Sequence, residues 1–395
     1  MPEQLTDDQQ ALAEVARRFV ADALAPLSVK HGDDPAALRS AIIEAAKTTR
    51  LYFLTQPRSH GGSEAGMVEL TVVREILAAS GLPARRWAFG PGPGFLAEAE
   101  GTLARDYAEP LLRGDKRTAF AFTDAHDGPP TEAHRSAAGW ILRGRKGYVT
   151  GGADADFFGV VARMAPKPAR AADQEAATED ATARLDRPET KHSLFAVVDA
   201  DAVGLTVSPP FTSLDGSHHV ALDFADVFVP DAALIGRPGE GLPRALRQIG
   251  DTRISMAAEA CGLMQCALGH LEAHLGKPHR SGEPLGAREG VRLRFADLRI
   301  EAYAARSMLY RTARLAAAGA NVVNEGIATK VFTTEALGRI VDTALQLEGG
   351  AALVEDHLLA RLYREVRALR LAEGASDVLR LNLARGRLEL GKGRL

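Results

Sequence analysis

The chain has 395 residues, 46% of them hydrophobic and 25% charged, with a formal net charge of −3. That is an ordinary globular composition, long enough for two or three domains, and it lacks the basic footprint of a nucleic-acid binder. No run of about 18 apolar residues offers a membrane span, and two cysteines, Cys261 and Cys266, are too few for a disulfide framework.

The elements read as follows in chain order. Thr6 and Gln9 form a capping box, and Leu12, Val15, Ala16, Phe19 and Ala23 follow on one helix face. Further helical stretches are expected at 35–49, 66–80 and 95–113, with loops at His60–Ser63 and Gly90–Gly94. From about 117 the texture turns to short strand-like runs: TAFAFT (118–123), GWILRG (139–144), FFGVVARM (157–164), SLFAVVDA (193–200) and HVALDFADVFVP (219–230). The stretch 166–191 is rich in Ala, Pro and charge and nearly free of large apolar residues, so it reads as a mobile surface insertion. Helical patterning returns near 240, with stretches at 241–275, 324–347, 353–368 and from about 375. Val291, Phe295, Leu298, Ala302, Ala305 and Leu309 step by four and three, the seam of a helix bundle. The opening MPEQLTDDQQ has no basic n-region and no apolar h-region, so no signal peptide is expected, and the low cysteine count suits a reducing, cytoplasmic setting.

Several chemistries find little support. His270 and His274 have the i, i+4 spacing that puts two ligands on one helix face, but no third ligand is evident nearby, so the expectation is no metal. His218-His219 reads as a loop tip, and Cys261 and Cys266 as small buried hydrophobes. There is no GxGxxG fingerprint after a strand and no GxSxG elbow. Two segments stand out. In Gln346-Leu347-Glu348-Gly349-Gly350 the paired glycines allow close approach of a ligand to backbone N–H groups, or simply cap a helix. In LAEGASDVLR (371–380), Glu373 sits in an apolar stretch at a helix start. There a carboxylate either complements the helix dipole or has a raised pKa and serves as a base.

Taken together, the ordered motifs resemble the acyl-CoA dehydrogenase family over essentially the whole chain. LTDDQQALAEVARRFV is similar to the family's first helix, and LTQPRSHGGSE (54–64) to its P-x-x-x-G-G-x-G loop. RGDKRTAFAFTDA (113–125) resembles the segment entering its β domain, and LRGRKGYVTGGADADFFGVVA (142–162) its G-x-K-x-W-I-T-N-G-x-x-A-D stretch. RISMAAEACG (253–262), QLEGG (346–350) and LAEGASDVLRLNLAR (371–385) follow in the family's order.

The resemblance implies an α+β multidomain fold: an N-terminal helical domain (1–116), a middle antiparallel β domain (117–238) and a C-terminal four-helix bundle (239–395). It implies FAD as cofactor and oxidation of an acyl thioester, such as acyl-CoA, to the enoyl thioester, a step of fatty acid metabolism. It also implies a homotetramer or homodimer and reoxidation by an electron-transferring flavoprotein. Glu373 takes the place of the family's base, with its own backbone N–H facing the thioester oxygen. The flavin is expected against Phe122, Thr123, Tyr148, Val149 and Thr150, and further at Ala375 and Asp377. Gln346, Gly349 and Gly350 match the motif that meets the FAD of a neighbouring subunit, while Thr252, Arg253 and Gly374 match substrate-side positions.

Some positions depart from the pattern. Pro129 replaces a serine of T-E-P-x-A-G-S-D, and Ala375 the threonine of E-G-T. Asp377 stands where glutamine is usual, and the R-x-x-F-G segment reads Pro278-His279-Arg280-Ser281-Gly282, with Glu289 in place of a following glutamine. These changes imply looser FAD binding or an unusual acyl carrier such as an acyl carrier protein. They leave room for a flavin oxidase or monooxygenase, or for a flavin-free scaffold.

Overall fold

A computed structural model describes residues 4–165, 192–280, 282–389, 391 and 395. The insertion expected at 166–191, and Ser281, lie outside the described residues.

Four helices open the chain: α1 (Asp7–Phe19), α2 (Ala25–Lys30), α3 (Pro35–Thr48) and α4 (Met67–Ala79). The Thr6–Gln9 capping box forms in both directions, and Ala13, Ala16 and Phe19 bury the apolar face of α1. The single helix expected over 95–113 is broken into a 3-10 turn, α5 (Gly101–Leu103), a π-helical segment (Ala104–Ala108) and α6 (Glu109–Arg113). Pro110 explains the widening. Its nitrogen has no proton for an i−4 bond and its ring crowds the carbonyl there. The same device recurs at Val20–Leu24, a π-helical segment just before Pro26.

The strands are β1 (Thr118–Ala121), β2 (Glu132–Arg135), β3 (Gly139–Thr150), β4 (Phe157–Met164), β5 (Ser193–Asp199), β6 (Leu205–Val207), β7 (Phe211–Thr212) and β8 (His218–Pro230). All five expected runs form strands, and His218-His219 begins β8 rather than tipping a loop. The sheet is mixed rather than purely antiparallel: β4 runs parallel to β1 and β2 and antiparallel to β5. Parallel pairing needs a long connection, and β2 and β3 lie between β1 and β4 in the chain. The β3–β8 pairing slips between Lys146 and Val149. Tyr148, at φ +54°, sits in that slip. Such a bulge re-aims side chains: Tyr148 is turned to solvent, while Val149 is buried in the sheet core.

The chain ends in α7 (Gly241–Leu275), α8 (Glu289–Ala317), α9 (Val323–Glu348), α10 (Leu358–Leu369) and α11 (Ser376–Leu388). The expected α8 seam is the half-buried to buried side of that helix. Helix α9 is buried on nearly every side, and its buried residues include Lys330 and three threonines as well as apolar side chains. Helix α10 starts at Leu358, later than the periodicity suggests, because the His357 side chain caps it and 350–353 form a 3-10 turn.

By packing, residues 1–90 and 249–395 form one compact unit and 91–248 another. In the first, a core of Val68, Val72, Leu263, Leu271, Leu309, Leu337 and Leu362 joins the early and late helices. Within it the buried Glu75 carboxylate accepts from Gln265 Nε2 (2.6 Å), Arg306 Nε (2.5 Å) and Tyr310 OH (2.6 Å), tying α4, α7 and α8 together. The second unit holds the sheet, whose core includes Leu142, Phe158, Leu194 and Val227.

Candidate functional site

The turn between α10 and α11 carries the most unusual chemistry. Two consecutive residues take left-handed backbone angles, Glu373 at φ +53° and Gly374 at φ +104°. Glycine accepts this freely and glutamate does not, so surrounding bonds must hold Glu373 in place. Two buried cations do so through carbonyl oxygens. Arg253 of α7 donates from Nε to the Glu373 carbonyl (3.0 Å). Lys330 of α9 donates from Nζ to the Gly374 carbonyl (2.8 Å) and to that of Arg370 (3.4 Å). The Arg370 carbonyl also accepts from Ser376 N (2.9 Å), closing the turn on itself. Gly374 has little room: an added Cβ would lie 3.0 Å from Leu379 Cδ2 and 3.4 Å from Arg253 Nη2. Gly338 makes similar room in α9, where an added Cβ would collide with the Arg370 guanidinium.

These bonds leave the side chain of Glu373 uncommitted. Its half-buried carboxylate makes no hydrogen bond or ion pair among the described residues, and neither does its backbone N–H. Burial pushes its carboxyl above the ordinary range, while Arg253 and then Lys330 pull it back only in part. Burial, helped by repulsion from Arg253, brings the Lys330 ammonium down to about 8. Burial likewise lowers Arg253, against the attraction of Glu373. The result is a carboxyl with raised basicity and a free N–H beside it, on a pinned turn. Such a pair can take a proton from a weak carbon acid and donate to the oxygen that gains charge.

The sequence-expected residues fall into separate groups. Glu373, Gly374 and Arg253 come together, with Thr252 half-buried beside Arg253. Ala375 is the N-cap of α11, and Asp377, in its first turn, is exposed and paired with Arg380 (2.8 Å). Gln346 is exposed near the end of α9, and an added Cβ on Gly349 or Gly350 would meet no atom within 4 Å. In the sheet unit, Tyr148 meets Phe211 and His219 edge-on at ring-centroid distances of 5.4 and 5.9 Å. The Thr150 hydroxyl lies 3.1 Å from His219 Nδ1. Phe122 stacks on Phe120, Thr123 is exposed, and Val149, buried by its side chain, can present only backbone. Lys330 escaped the sequence reading. Its one signal was a lysine amid the apolar periodicity of α9, between Ile327 and Val331.

Comparison with known proteins identifies the family of the chain. Residues 6–97 match the family profile of the acyl-CoA dehydrogenase N-terminal domain, and residues 239–388 that of the acyl-CoA dehydrogenase C-terminal domain. An acyl-CoA dehydrogenase of Bacillus subtilis is 26% identical, with 96% of this chain and 98% of that protein covered. A 3-(aryl)acrylate reductase of Clostridium sporogenes is 25% identical over the same shares. The fold matches the crystal structure of an acyl-CoA dehydrogenase complexed with FAD from Bacillus anthracis. Its TM-score is 0.78 at 21% identity, covering 97% of this chain and 67% of that one. The chain therefore belongs to the acyl-CoA dehydrogenase family.

Proposed function

We propose that the protein oxidises an acyl thioester, such as an acyl-CoA, to its α,β-unsaturated form, with Glu373 as the base. The observation that carries this reading is the free, half-buried Glu373 carboxyl, raised by burial and set on a turn pinned by Arg253 and Lys330. The α-proton of a thioester is weakly acidic, so a base of ordinary carboxylate strength is a poor match. Glu373 takes that proton, and its own N–H donates to the thioester oxygen as enolate charge develops. Arg253 and Lys330 hold the turn so that carboxylate and N–H keep their spacing during the transfer.

The residues present fit a flavin on two counts. Tyr148, Phe211 and His219 offer a solvent-facing aromatic cluster suited to a flat ring, and Gly349-Gly350 offers bare backbone for close approach. Phe122, Thr123, Tyr148, Thr150 and the Val149 backbone would hold the ring. Gln346, Gly349 and Gly350 would meet the FAD of a neighbouring subunit in a homodimer or homotetramer. When bound, FAD supplies the acceptor for the hydride that leaves the β-carbon. An electron-transferring flavoprotein is the proposed reoxidant. Pro129 has neither hydroxyl nor N–H to offer, and Pro278 stands where an arginine is usual, so FAD is expected to bind loosely.

A second reading runs the same chemistry backwards. A carboxyl held above its ordinary range is protonated more of the time and can give its proton to the α-carbon of an enoyl substrate. The relative named as an acrylate reductase favours including that direction. The test is an absorbance titration of the purified protein with FAD, then with a panel of acyl-CoAs. A bound-flavin spectrum that bleaches with an acyl-CoA, and not in Glu373→Gln, supports the oxidation. No bound flavin at saturating FAD, or equal bleaching in the variant, overturns it.

A further inference from the structure

The end of α9 gathers a second cluster, unconnected with Glu373. His270 Nε2 lies 2.8 Å from Glu348 Oε2, and His357 Nε2 lies 3.1 Å from Glu348 Oε1. His274 Nδ1, one turn along α7 from His270, is 3.8 Å from that same Oε1. One ligand atom from each of His270, Glu348 and His357 falls within a 4.8 Å span. The three histidine side chains are 21–30% exposed and Glu348 is 9% exposed, so the cluster is sheltered and still open to an entering ion.

We propose that His270, Glu348 and His357 form a binding site for a divalent transition-metal ion, zinc being the first candidate, with water as the fourth donor. Zinc takes imidazole nitrogen and carboxylate oxygen at about 2.0–2.2 Å in a tetrahedron, which sets neighbouring donors about 3.4 Å apart. The contacts of His270 and His357 with the Glu348 carboxylate, 2.8 and 3.1 Å, lie near that spacing. The donor set is two imidazoles and one carboxylate, the borderline-soft chemistry that suits zinc better than magnesium or calcium. The site draws on three elements: one donor from α7, one from the last residue of α9 and one from the cap of α10. An ion there would staple α7 across the Gly349-Gly350 turn, where an added Cβ would meet no atom within 4 Å.

The ring of His357 sets one condition. Its Nδ1 accepts from Leu359 N–H (3.2 Å), so without metal its Nε2 carries the proton and donates to Glu348. An ion at Nε2 displaces that proton and moves the tautomer to Nδ1–H, so the long capping contact is given up on binding.

The experiment uses the full chain, stripped of metal by chelator dialysis. Zinc is titrated in competition with a chromophoric chelator, and cobalt(II) is added separately while the visible spectrum is read. The expected result is one zinc per chain with a Kd below about 1 μM, and cobalt bands of tetrahedral intensity. Glu348→Gln and His270→Ala should weaken binding at least ~100-fold. His357→Asn keeps a capping acceptor for Leu359 while removing the ligand, so its folding is protected and its zinc affinity should still collapse. Absence of a saturable one-to-one site overturns the proposal. So does wild-type affinity in the folded His357→Asn and Glu348→Gln proteins, which would assign any zinc to other histidines.

Discussion

Lys146 and Lys330 are both buried, one in the sheet unit and one in the helical unit, and they are satisfied in opposite ways. Lys146 Nζ donates to the Phe122 carbonyl (2.7 Å) and to the Asp124 carboxylate (2.7 Å), which also accepts from Thr131 N–H (3.1 Å). Its charge is met by an opposite charge. Lys330 Nζ donates only to carbonyl oxygens, so its hydrogen bonds are satisfied while its charge is not cancelled by a bonded partner. Burial pulls both ammonium groups down; Asp124 pulls Lys146 back up, while Arg253 pushes Lys330 further down. A lysine paired with a carboxylate fastens a sheet. A lysine bonded to carbonyls fastens a turn and leaves its field to act on a neighbour, here Glu373. The first arrangement is a matter of stability, the second of stability and reactivity together.

The largest effect should come from removing the group that both cations of the turn serve. Glu373→Gln keeps size and polarity but cannot take a proton, so turnover of the best acyl-CoA should fall by about 10³-fold or more. Stopped-flow flavin bleaching measures it. Flavin content should match the wild type, since the substitution leaves the bonds to the Glu373 and Gly374 carbonyls in place. A loss under tenfold would remove Glu373 from the role proposed for it.

Next in size is stability. Lys330→Met leaves the Gly374 carbonyl without its Lys330 donor, while Ser376 still serves the Arg370 carbonyl, and should cost about 1–3 kcal/mol in urea unfolding. Lys146→Met leaves Asp124 without its cation, but that carboxylate is partly open to water, so a similar or smaller cost is expected. Both lysines should carry a pH dependence of the same sign, since burial lowers each. Lys330 titrates near 8 when folded and near 10.5 when unfolded. Between those values the unfolded chain binds more protons, so stability should rise with pH, by at most about 3 kcal/mol across the window. Lys330→Met should remove the part of the rise that belongs to Lys330, and because burial lowers Lys146 as well, Lys146→Met should remove a part of its own, as parallel urea titrations from pH 7.5 to 10 would reveal.

Much of this was legible in the chain. The capping box, the strand runs and the α8 seam follow from local chemistry and periodicity, and the structure keeps all of them. The breaks in helical stretches were harder, because Pro26 and Pro110 act through a missing proton that periodicity does not register. Glu373 could be singled out by its apolar setting before a glycine. Lys330 could not, because its partners, Arg370 and Gly374, lie 40 and 44 residues away and offer only backbone atoms, which carry no sequence signal. His357 and Glu348 were missed for the same kind of reason: the residues that complete the His270–His274 pair are 74 or more positions distant. Function-bearing contacts here are those made across the fold, and periodicity speaks only within an element.

The smallest effect separates the two lysines most sharply. Arg253 and Lys330 each favour the charged form of Glu373, so they lower a carboxyl that burial has raised. Losing either cation should let burial act further, and the acid limb of the kcat/KM profile should move to higher pH. It cannot move lower unless the carboxyl becomes more exposed, which would itself show that the turn had opened. Lys330→Arg keeps a cation in the helix and should hold the limb near its wild-type position even if its bonds to the turn weaken. Lys146→Met should leave the limb where it is, because Lys146 takes no part in setting the Glu373 carboxyl. If Lys330→Met and Lys146→Met shift the limb alike, the distinction between a turn-holding and a sheet-holding lysine fails. If only Lys330→Met shifts it, and shifts it upward, the unneutralised charge is acting on Glu373 as the carbonyl-only bonding requires.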